Sequence, residues 1–306
     1  MKAIRVKDYG DASALVLEDA PRPSPGPGEV LVRVHAASVN PVDRMLLAGF
    51  MKAMMPLAFP WTPGFDVSGV VEDLGVGVQM LAVGDDVFGN AELPGGTYAE
   101  YVTLPAANLV RKPRAIDHVH AAAIPLAALT AWQGLFGGLE LEKGQTLLVT
   151  GAAGGVGGFA IQLAKWKGAR VVAAARAAHE KHARALGADV FVDTAGSLSG
   201  AGRVDAVLDL VSGEVAQKAW AQLRNGGAFA STLGSPSPEE ARARNARTAA
   251  IFTQTDAQQL YRISALVERA TVQVVVSETL PLPNAGEALR LLERGGLGGK
   301  IVLTVR

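Results

Sequence analysis

The run Thr146-Leu-Leu-Val-Thr-Gly-Ala-Ala-Gly-Gly-Val-Gly157 joins a short apolar, strand-like stretch to a glycine-rich turn. An Ala/Leu/Gln pattern suited to a helix follows over Phe159–Lys167. That order suits a dinucleotide pyrophosphate. Residues without side chains let the backbone approach the phosphates, and a helix N-terminus offers unpaired N–H groups and the positive end of its dipole. Read literally, Gly155-Val-Gly-Gly-Phe-Ala160 fits a GxGxxA fingerprint, but it starts too late after the strand. The better register is Ala152-Ala-Gly-Gly-Val-Gly157. Here Ala152 replaces the first glycine, Gly154 permits backbone approach, and Gly157 permits close packing of helix on strand. The competing reading is an ordinary tight βα turn. Strand, turn and helix in that order favour the nucleotide.

The end of the next strand bears on which nucleotide. An NAD site usually places Asp or Glu there, to bond the ribose hydroxyl. This chain has Val171-Val-Ala-Ala-Ala-Arg176 instead. Arg176 offers a planar cationic fork for a 2′-phosphate, which predicts NADPH over NADH. The alternative is that Arg176 is a solvated surface residue. His179, Lys181 and His182 add positive charge nearby or face water.

The elements that must hold these residues are legible in outline. At 306 residues and 49% hydrophobic, the chain can bury one large core or two ordinary ones. Net charge is zero, which points away from nucleic acid or an anionic membrane as main partner. No cysteine occurs, which removes disulfides, thiolate catalysis and sulfur-based zinc sites. The N-terminus is charged and alternating, unlike a secretory signal. The apolar stretch around Val119–Trp132 is too short to span a membrane and contains Pro125. A cytoplasmic α/β protein is expected.

The first third reads as β: Lys2–Val6, Ala14–Glu18, Glu29–His35, Val67–Glu72, Asp86–Gly89 and Thr97–Val102. Ala121–Gly134 reads as a helix. From Gln145 onward, strands Thr146–Thr150, Arg170–Ala175, Asp189–Val192, Asp205–Leu210 and Ala228–Thr232 alternate with helical stretches such as His179–Leu186 and Glu214–Leu223. That alternation predicts a parallel, doubly wound sheet. Strand character returns in Val272–Ser277 and Lys300–Val305, around a helix at Ala285–Arg294. The reading is a split first domain (1–118 and 270–306) with a nucleotide domain (119–269) inserted.

Further motifs make a family match specific. They are Ala37-Ser-Val-Asn-Pro-Val-Asp43, Pro63-Gly-Phe-Asp-Val-Ser-Gly-Val-Val-Glu72, Gly95-Gly-Thr-Tyr-Ala-Glu-Tyr101, Ile124-Pro-Leu-Ala-Ala-Leu-Thr-Ala-Trp132, Val204-Asp-Ala-Val-Leu-Asp209 and Gly299-Lys-Ile-Val302. With the glycine turn, this ordered set resembles the zinc-independent, zeta-crystallin-like quinone oxidoreductases of the medium-chain dehydrogenase/reductase superfamily. The resemblance runs nearly end to end. It implies an α/β fold with a Rossmann doubly wound sheet inserted in a GroES-like, mainly-β catalytic domain, and an active site in the cleft between them. It implies NADPH-dependent reduction of quinones or related conjugated carbonyls, and a homodimer. Carried over residue by residue, it implies cofactor contacts at Ala153, Gly154, Gly155, Val156, Gly157, Arg176, Leu210, Leu233, Phe252 and Lys300. Family members often place Lys and Tyr at the 2′-phosphate. The counterparts here are His179 and Thr194, so Arg176 must carry NADPH selectivity.

Zinc alcohol dehydrogenases of the superfamily hold zinc with two Cys and one His. The equivalent positions here look to be Asn40, Phe65 and Leu126, so no metal is expected. The His118-x-His120 pair lacks an acidic or sulfur partner at ligand spacing and reads as a surface or capping feature. Without zinc, charge developing on a carbonyl oxygen must meet hydrogen-bond donors or solvent. Asn40, Tyr98 and Thr130 are the candidate catalytic groups, with Asn40 and Thr130 orienting nicotinamide or substrate. Asn40-Pro41 is equally a turn device, and Thr130 equally a helix residue bonded to its own backbone. Asp43 reads as a helix cap.

Four of the six methionines fall in Met45–Met55, with Leu46, Leu47 and Phe50 beside them and Leu57, Phe59 and Trp61 following. Core is the default for such a patch. In the family the region borders the substrate cleft, which predicts a broad apolar pocket. Phe252 and Thr253 are a further expected wall. The arginines of Glu239–Arg247 are a solvated helix face, with a phosphate-bearing acyl-CoA as the alternative. A 2-alkenal, enone or enoyl-thioester reductase fits the same residues as a quinone reductase. A non-enzymatic NADPH-binding protein is the reading from another class.

Overall fold

The computed structural model describes residues 1–306, and the chain divides into two compact units. The first comprises Met1–Leu126, Thr255–Glu268 and Val276–Arg306; the second comprises Ala127–Gln254 and Arg269–Val275. The expected boundaries differ from this division at 118/119. They differ again in the helix over 257–268, which lies in the first unit and packs on the strand over 109–111.

In the first unit, β1 (Lys2–Arg5) and β2 (Val16–Asp19) form an antiparallel ribbon. β3 (Glu29–Val39) is the spine of a seven-stranded sheet. Val30, Val32 and Val34 are fully buried with Val67, Val71 and Val87 behind them. Each such valine is worth roughly 1.5–3 kcal/mol on burial. After β3 comes α1 (Pro41–Leu47), then β4 (Asp66–Leu74), β5 (Asp86–Asn90), β6 (Tyr101–Pro105), β7 (Leu109–Arg111) and α2 (His118–Ala122). β3 pairs with β4 on one side and with β6 on the other, and its end pairs with the C-terminal strand. The expected strand from Thr97 begins only at Tyr101, because Thr97–Tyr98 is held by loop contacts to Pro63–Gly64.

A single helix expected over Ala121–Gly134 is in fact α2 and then α3 (Pro125–Trp132). Proline at 125 ends one helix and suits the first position of the next. A π-helical turn, Gln133–Gly138, continues α3.

The second unit is a six-stranded, wholly parallel sheet. β8 (Thr146–Thr150), α4 (Gly155–Lys167), β9 (Arg170–Ala175), α5 (Glu180–Ala185) and β10 (Val190–Asp193) build one half. β11 (Val204–Asp209), α6 (Gly213–Trp220), β12 (Leu223–Ser231), α7 (Pro238–Ala243) and β13 (Arg247–Ala250) build the other. Strand order is β10-β9-β8-β11-β12-β13, so the winding direction reverses between β8 and β11. β8 and β9 are buried on both faces, hence their unbroken apolar sequences. β13 was not expected. Arg-Thr-Ala-Ala is polar and partly exposed, and its strand form comes from pairing with β12.

The chain then returns through α8 (Ala257–Glu268), β14 (Val276–Pro281), α9 (Ala285–Arg294) and β15 (Lys300–Thr304). β14 lies four residues later than the sequence pattern suggested. The run before it is instead tied down by Gln273, which exchanges two hydrogen bonds with the Gln162 carboxamide.

Candidate functional site

In the second unit, β8 delivers Thr150 to a turn in which Gly151 takes φ +62° and Gly154 precedes the first residue of α4. A Cβ on Gly157 would lie 2.4 Å from the Gly151 carbonyl oxygen and 2.7 Å from the Ala152 backbone. Only glycine permits that approach, which supports the register with Ala152 first. Gly154 has ordinary space around it within the protein. No side chain caps α4. The N–H groups of its first turn therefore remain available to an anion, with the helix dipole behind them. Ala153, Gly154, Gly155, Val156 and Gly157 all belong to this turn.

Arg176 follows the last residue of β9. It is exposed and forms no ion pair within the protein. His179 and His182 are half-buried beside it, and burial with His179 nearby holds the His182 imidazole below its usual range. Leu210 follows β11 and Leu233 follows β12 by two residues. The segment after β13 is pinned at three points. Ile251 N–H donates to Ser231 O at 2.8 Å, the Thr130 and Thr253 hydroxyls meet at 2.6 Å, and Gln133 bonds the Gln254 backbone at both its N–H and its C=O. Phe252 projects from this segment and is 62% exposed. Thr130 and Phe252–Thr253 are thus neighbours. Gln133 went unrecognised because a glutamine in a helical run carries no local signal.

The first unit holds a second polar cluster, entirely inside the protein. Asn40 is 2% exposed. Its Nδ2 donates to Asp66 Oδ2 (2.9 Å) and to Ser38 O (3.2 Å), and its Oδ1 accepts from Lys300 Nζ at 2.5 Å. Lys300, 6% exposed, also donates to Val39 O and lies 3.7 Å from Asp66. Burial pulls its ammonium below the usual lysine range, partly offset by Asp66 and Asp43. Asp66 further accepts from Ser38 Oγ (2.5 Å) and, with Oδ1, from the Leu126 N–H in the first turn of α3 (2.8 Å). A carboxylate there favours the helix through its free N–H groups and dipole.

Tyr98 is 1% exposed, and its hydroxyl donates to Asp43 Oδ2 at 2.8 Å. It packs in the core with Trp61, Phe65 and Leu46. Expected as a catalytic group, it is a core residue in this structure, with its one O–H already spent. Lys300, expected at the cofactor, is enclosed here by strand β3 and Asp66. Asp43 does cap α1, accepting the Asn40 N–H at 2.8 Å, and it also takes the Gly64 N–H. Burial pushes its carboxyl up to about 7 despite these bonds.

The two histidines of the His-x-His pair part company. Asp117 caps α2 and binds both the N–H and the ring of His120. His118 instead turns inward, bonds Ser68 Oγ at 2.8 Å and lies against His35, the ring centroids 4.4 Å apart and the planes tilted by 32°. Burial, with His35 beside it, pulls His118 down to about 4, so it is neutral near pH 7. The methionine-rich segment also divides. Leu46, Leu47, Met51, Leu57 and Trp61 are core, whereas Met45, Phe50 (68% exposed) and Met54 face out. In the Glu239–Arg247 stretch, Arg244 pairs with Glu240 and Arg247 with Glu140.

Residues 26–114 match the alcohol dehydrogenase GroES-like domain, and residues 186–303 match the zinc-binding dehydrogenase domain. The chloroplastic NADPH-dependent alkenal/one oxidoreductase of Arabidopsis thaliana is 33% identical, over 99% of this chain and 79% of that protein. The quinone oxidoreductase of Coxiella burnetii superposes with a TM-score of 0.91 at 33% identity, covering 100% of this chain and 99% of the other. An NAD-dependent alcohol dehydrogenase superposes at 0.92 with 34% identity, covering 100% of both chains. The chain belongs to the quinone oxidoreductase family of the medium-chain dehydrogenase/reductases. That family consists of NAD(P)H-dependent oxidoreductases, and this member is an enzyme of that class. Two carboxylates of this family member lay within recognised motifs without a role, Asp66 and Asp209. Their types were visible in the sequence, but their partners were not.

Proposed function

We propose that this chain is an NADPH-dependent reductase that delivers hydride to quinones or related hydrophobic conjugated carbonyls without a metal. The observation that carries the reading is the glycine turn. It feeds an uncapped helix N-terminus, and the following strand ends in exposed Arg176 where an NAD site would place an acid. The N–H groups of Gly155–Gly157 would hold the pyrophosphate, and Arg176 the 2′-phosphate. Leu210, Leu233 and Phe252 would supply apolar contacts, with Thr130 and Thr253 fixing the segment that carries Phe252. Bound NADPH supplies the hydride from its nicotinamide ring. The relative named as NADPH-dependent supports this cofactor, while the NAD-dependent structural relative makes Arg176 the residue to test.

Metal independence rests on residue chemistry. The positions that resemble zinc ligands carry a carboxamide already bonded on both atoms (Asn40), a core phenylalanine (Phe65) and a leucine (Leu126). The outward Met45, Phe50 and Met54 support a planar apolar acceptor. Solvent supplies the proton. Reduction of a conjugated alkenal or enone is the second reading, favoured by the name of the 33%-identical relative. A homodimer is inferred from the resemblance, and a cytoplasmic location from the composition and the charged N-terminus; in the structure, no helix is long and apolar enough to cross a membrane.

The test is NADPH oxidation by purified protein against quinones, 2-alkenals and enoyl-thioesters, with metal content measured on the same sample. Quinone-dependent turnover without bound zinc supports the reading. Tightly bound zinc at one per chain, or turnover of polar sugars above all quinones and enones, overturns it.

A further inference from the structure

Asp209 is 2% exposed, ends β11 beside the winding reversal, and has no cation near it. Its carboxylate is satisfied by neutral donors alone. Oδ1 accepts from Thr150 Oγ1 (2.7 Å), Ser212 N–H (3.2 Å) and Val211 N–H (3.3 Å), and Oδ2 accepts from Ser231 Oγ (3.1 Å). Thr150 and Ser231 are the last residues of β8 and β12. One carboxylate therefore ties together the carboxyl ends of three adjacent strands, where open α/β sheets bind their ligands.

A carboxylate can only accept, so both hydroxyls must point their hydrogens at it. Each then turns a lone pair outward. Thr150 Oγ1 takes the Leu210 N–H at 2.9 Å, and Ser231 Oγ takes the Leu233 N–H at 3.1 Å. Asp209 thereby engages, directly or through one hydroxyl, the N–H groups of Leu210, Val211, Ser212 and Leu233. Val211 and Leu233 project outward, 44% and 49% exposed. This half of the sheet end offers a ligand apolar side chains in place of free N–H groups. The other half offers the uncapped α4 terminus and Arg176. Two further observations show how tightly the turn is held. Ser212 sits at φ +68°, ψ −168°, a region otherwise occupied by glycine, with its N–H on Asp209. A Cβ on Gly151 would lie 2.9 Å from Val211 Cγ2, so the glycine turn and the β11 turn are in contact.

We infer that Asp209 is the positioning residue of the cofactor site, acting through Thr150 and Ser231. By consuming those N–H groups it leaves α4 as the place for the phosphates and presents Leu210, Val211 and Leu233 to the nicotinamide half of the dinucleotide. The inference rests on the cofactor reading above. The adenosine half, on the β9 side with Arg176, does not depend on Asp209.

That asymmetry supplies the test: dissociation constants of NADPH and of 2′-AMP for the full chain, by fluorescence titration. In Asp209→Asn the amide would face Ser231 with a donor, so the hydroxyl must turn its hydrogen away, and its oxygen is then shared between that amide and the Leu233 N–H, which loosens the Leu233 anchor. Expected is a tenfold or greater rise in the NADPH constant with 2′-AMP changed less than twofold. Ser231→Ala removes the Leu233 anchor alone and should give about a threefold rise of the same kind. It decides the matter if Asp209→Asn does not fold. Unchanged NADPH affinity in the folded variants, or equal weakening of both ligands, overturns the inference. Wild-type protein that binds neither ligand overturns the cofactor reading, and this inference with it.

Discussion

Each unit buries carboxylates among hydroxyl and amide groups, but only Asp66, in the first unit, has a buried cation against it. Around Asp66, the Lys300 ammonium, the Asn40 carboxamide and Ser38 form a cluster that joins the last strand of the chain to the third. Around Asp209 the donors are two hydroxyls and two backbone N–H groups, all at strand ends or in one turn. The first cluster closes a domain from distant parts of the chain, and its charges compensate one another. The second holds the loop backbone at the carboxyl ends of three strands and keeps its charge uncompensated. A buried carboxylate is thus weak evidence of function until its donors are named.

The sharpest way to break this contrast is at the glycine turn. Gly157→Val would drive side-chain carbon into the Gly151 carbonyl, and NADPH binding should weaken on the order of 100-fold, about 3 kcal/mol. Equal binding by titration would remove the turn from the cofactor site. Next is the ion pair of the first unit. Lys300→Met leaves Asp66 and Asn40 without their cation, and stability should fall by roughly 3–5 kcal/mol. A melting temperature within 1–2 °C of wild type would show the cluster to be dispensable; a drop of roughly 10 °C or more is expected.

Arg176→Asp would remove the charge-assisted contact proposed for the 2′-phosphate, about 1.5–3 kcal/mol. The ratio of kcat/KM for NADPH over NADH should fall by roughly 10- to 100-fold. An unchanged ratio would place selectivity elsewhere. Tyr98→Phe takes one of three donors from Asp43 and should lower stability by about 1–3 kcal/mol. A loss confined to kcat, with the melting temperature unmoved, would support Tyr98 as a catalytic group.

The smallest effect concerns pH. Burial raises Asp43 from 3.8 to about 7, so the folded state holds an extra proton between those values. Its stabilisation is fully present below the unfolded value and is lost as pH rises through the folded one. Between pH 4 and 7.5, the melting temperature of wild type should fall relative to that of Asp43→Asn. Parallel curves would mean that Asp43 does not titrate in this window.

Much of the fold was legible because its signals are local. Thr146–Thr150 and Arg170–Ala175 are strands with the bounds their apolar runs suggested. The glycine register was decidable from spacing alone, and the Gly157 contact supports it. β13 was missed because its strand form depends on β12, and the Ala121–Gly134 helix was over-extended across Pro125. Among the site residues, Thr130 and Phe252 were named without the contact that brings their segments together. Asn40 and Tyr98 were named for chemistry, yet their polar atoms are bonded inside the first unit.

The sequence by itself determined the alternation of strands and helices from Thr146 to Ser231, the glycine turn and the family. Periodicity, glycine placement and short motifs act between near neighbours along the chain. Only the tertiary structure decided which polar side chains are spent and on what. Lys300 meets Asn40 across 260 residues, and Asp66 meets the Leu126 N–H across 60. Asp209 meets Thr150 across 59 and Ser231 across 22. Those meetings depend on sheet register and burial, which exclude water and make each remaining donor count. No local pattern in the chain encodes them.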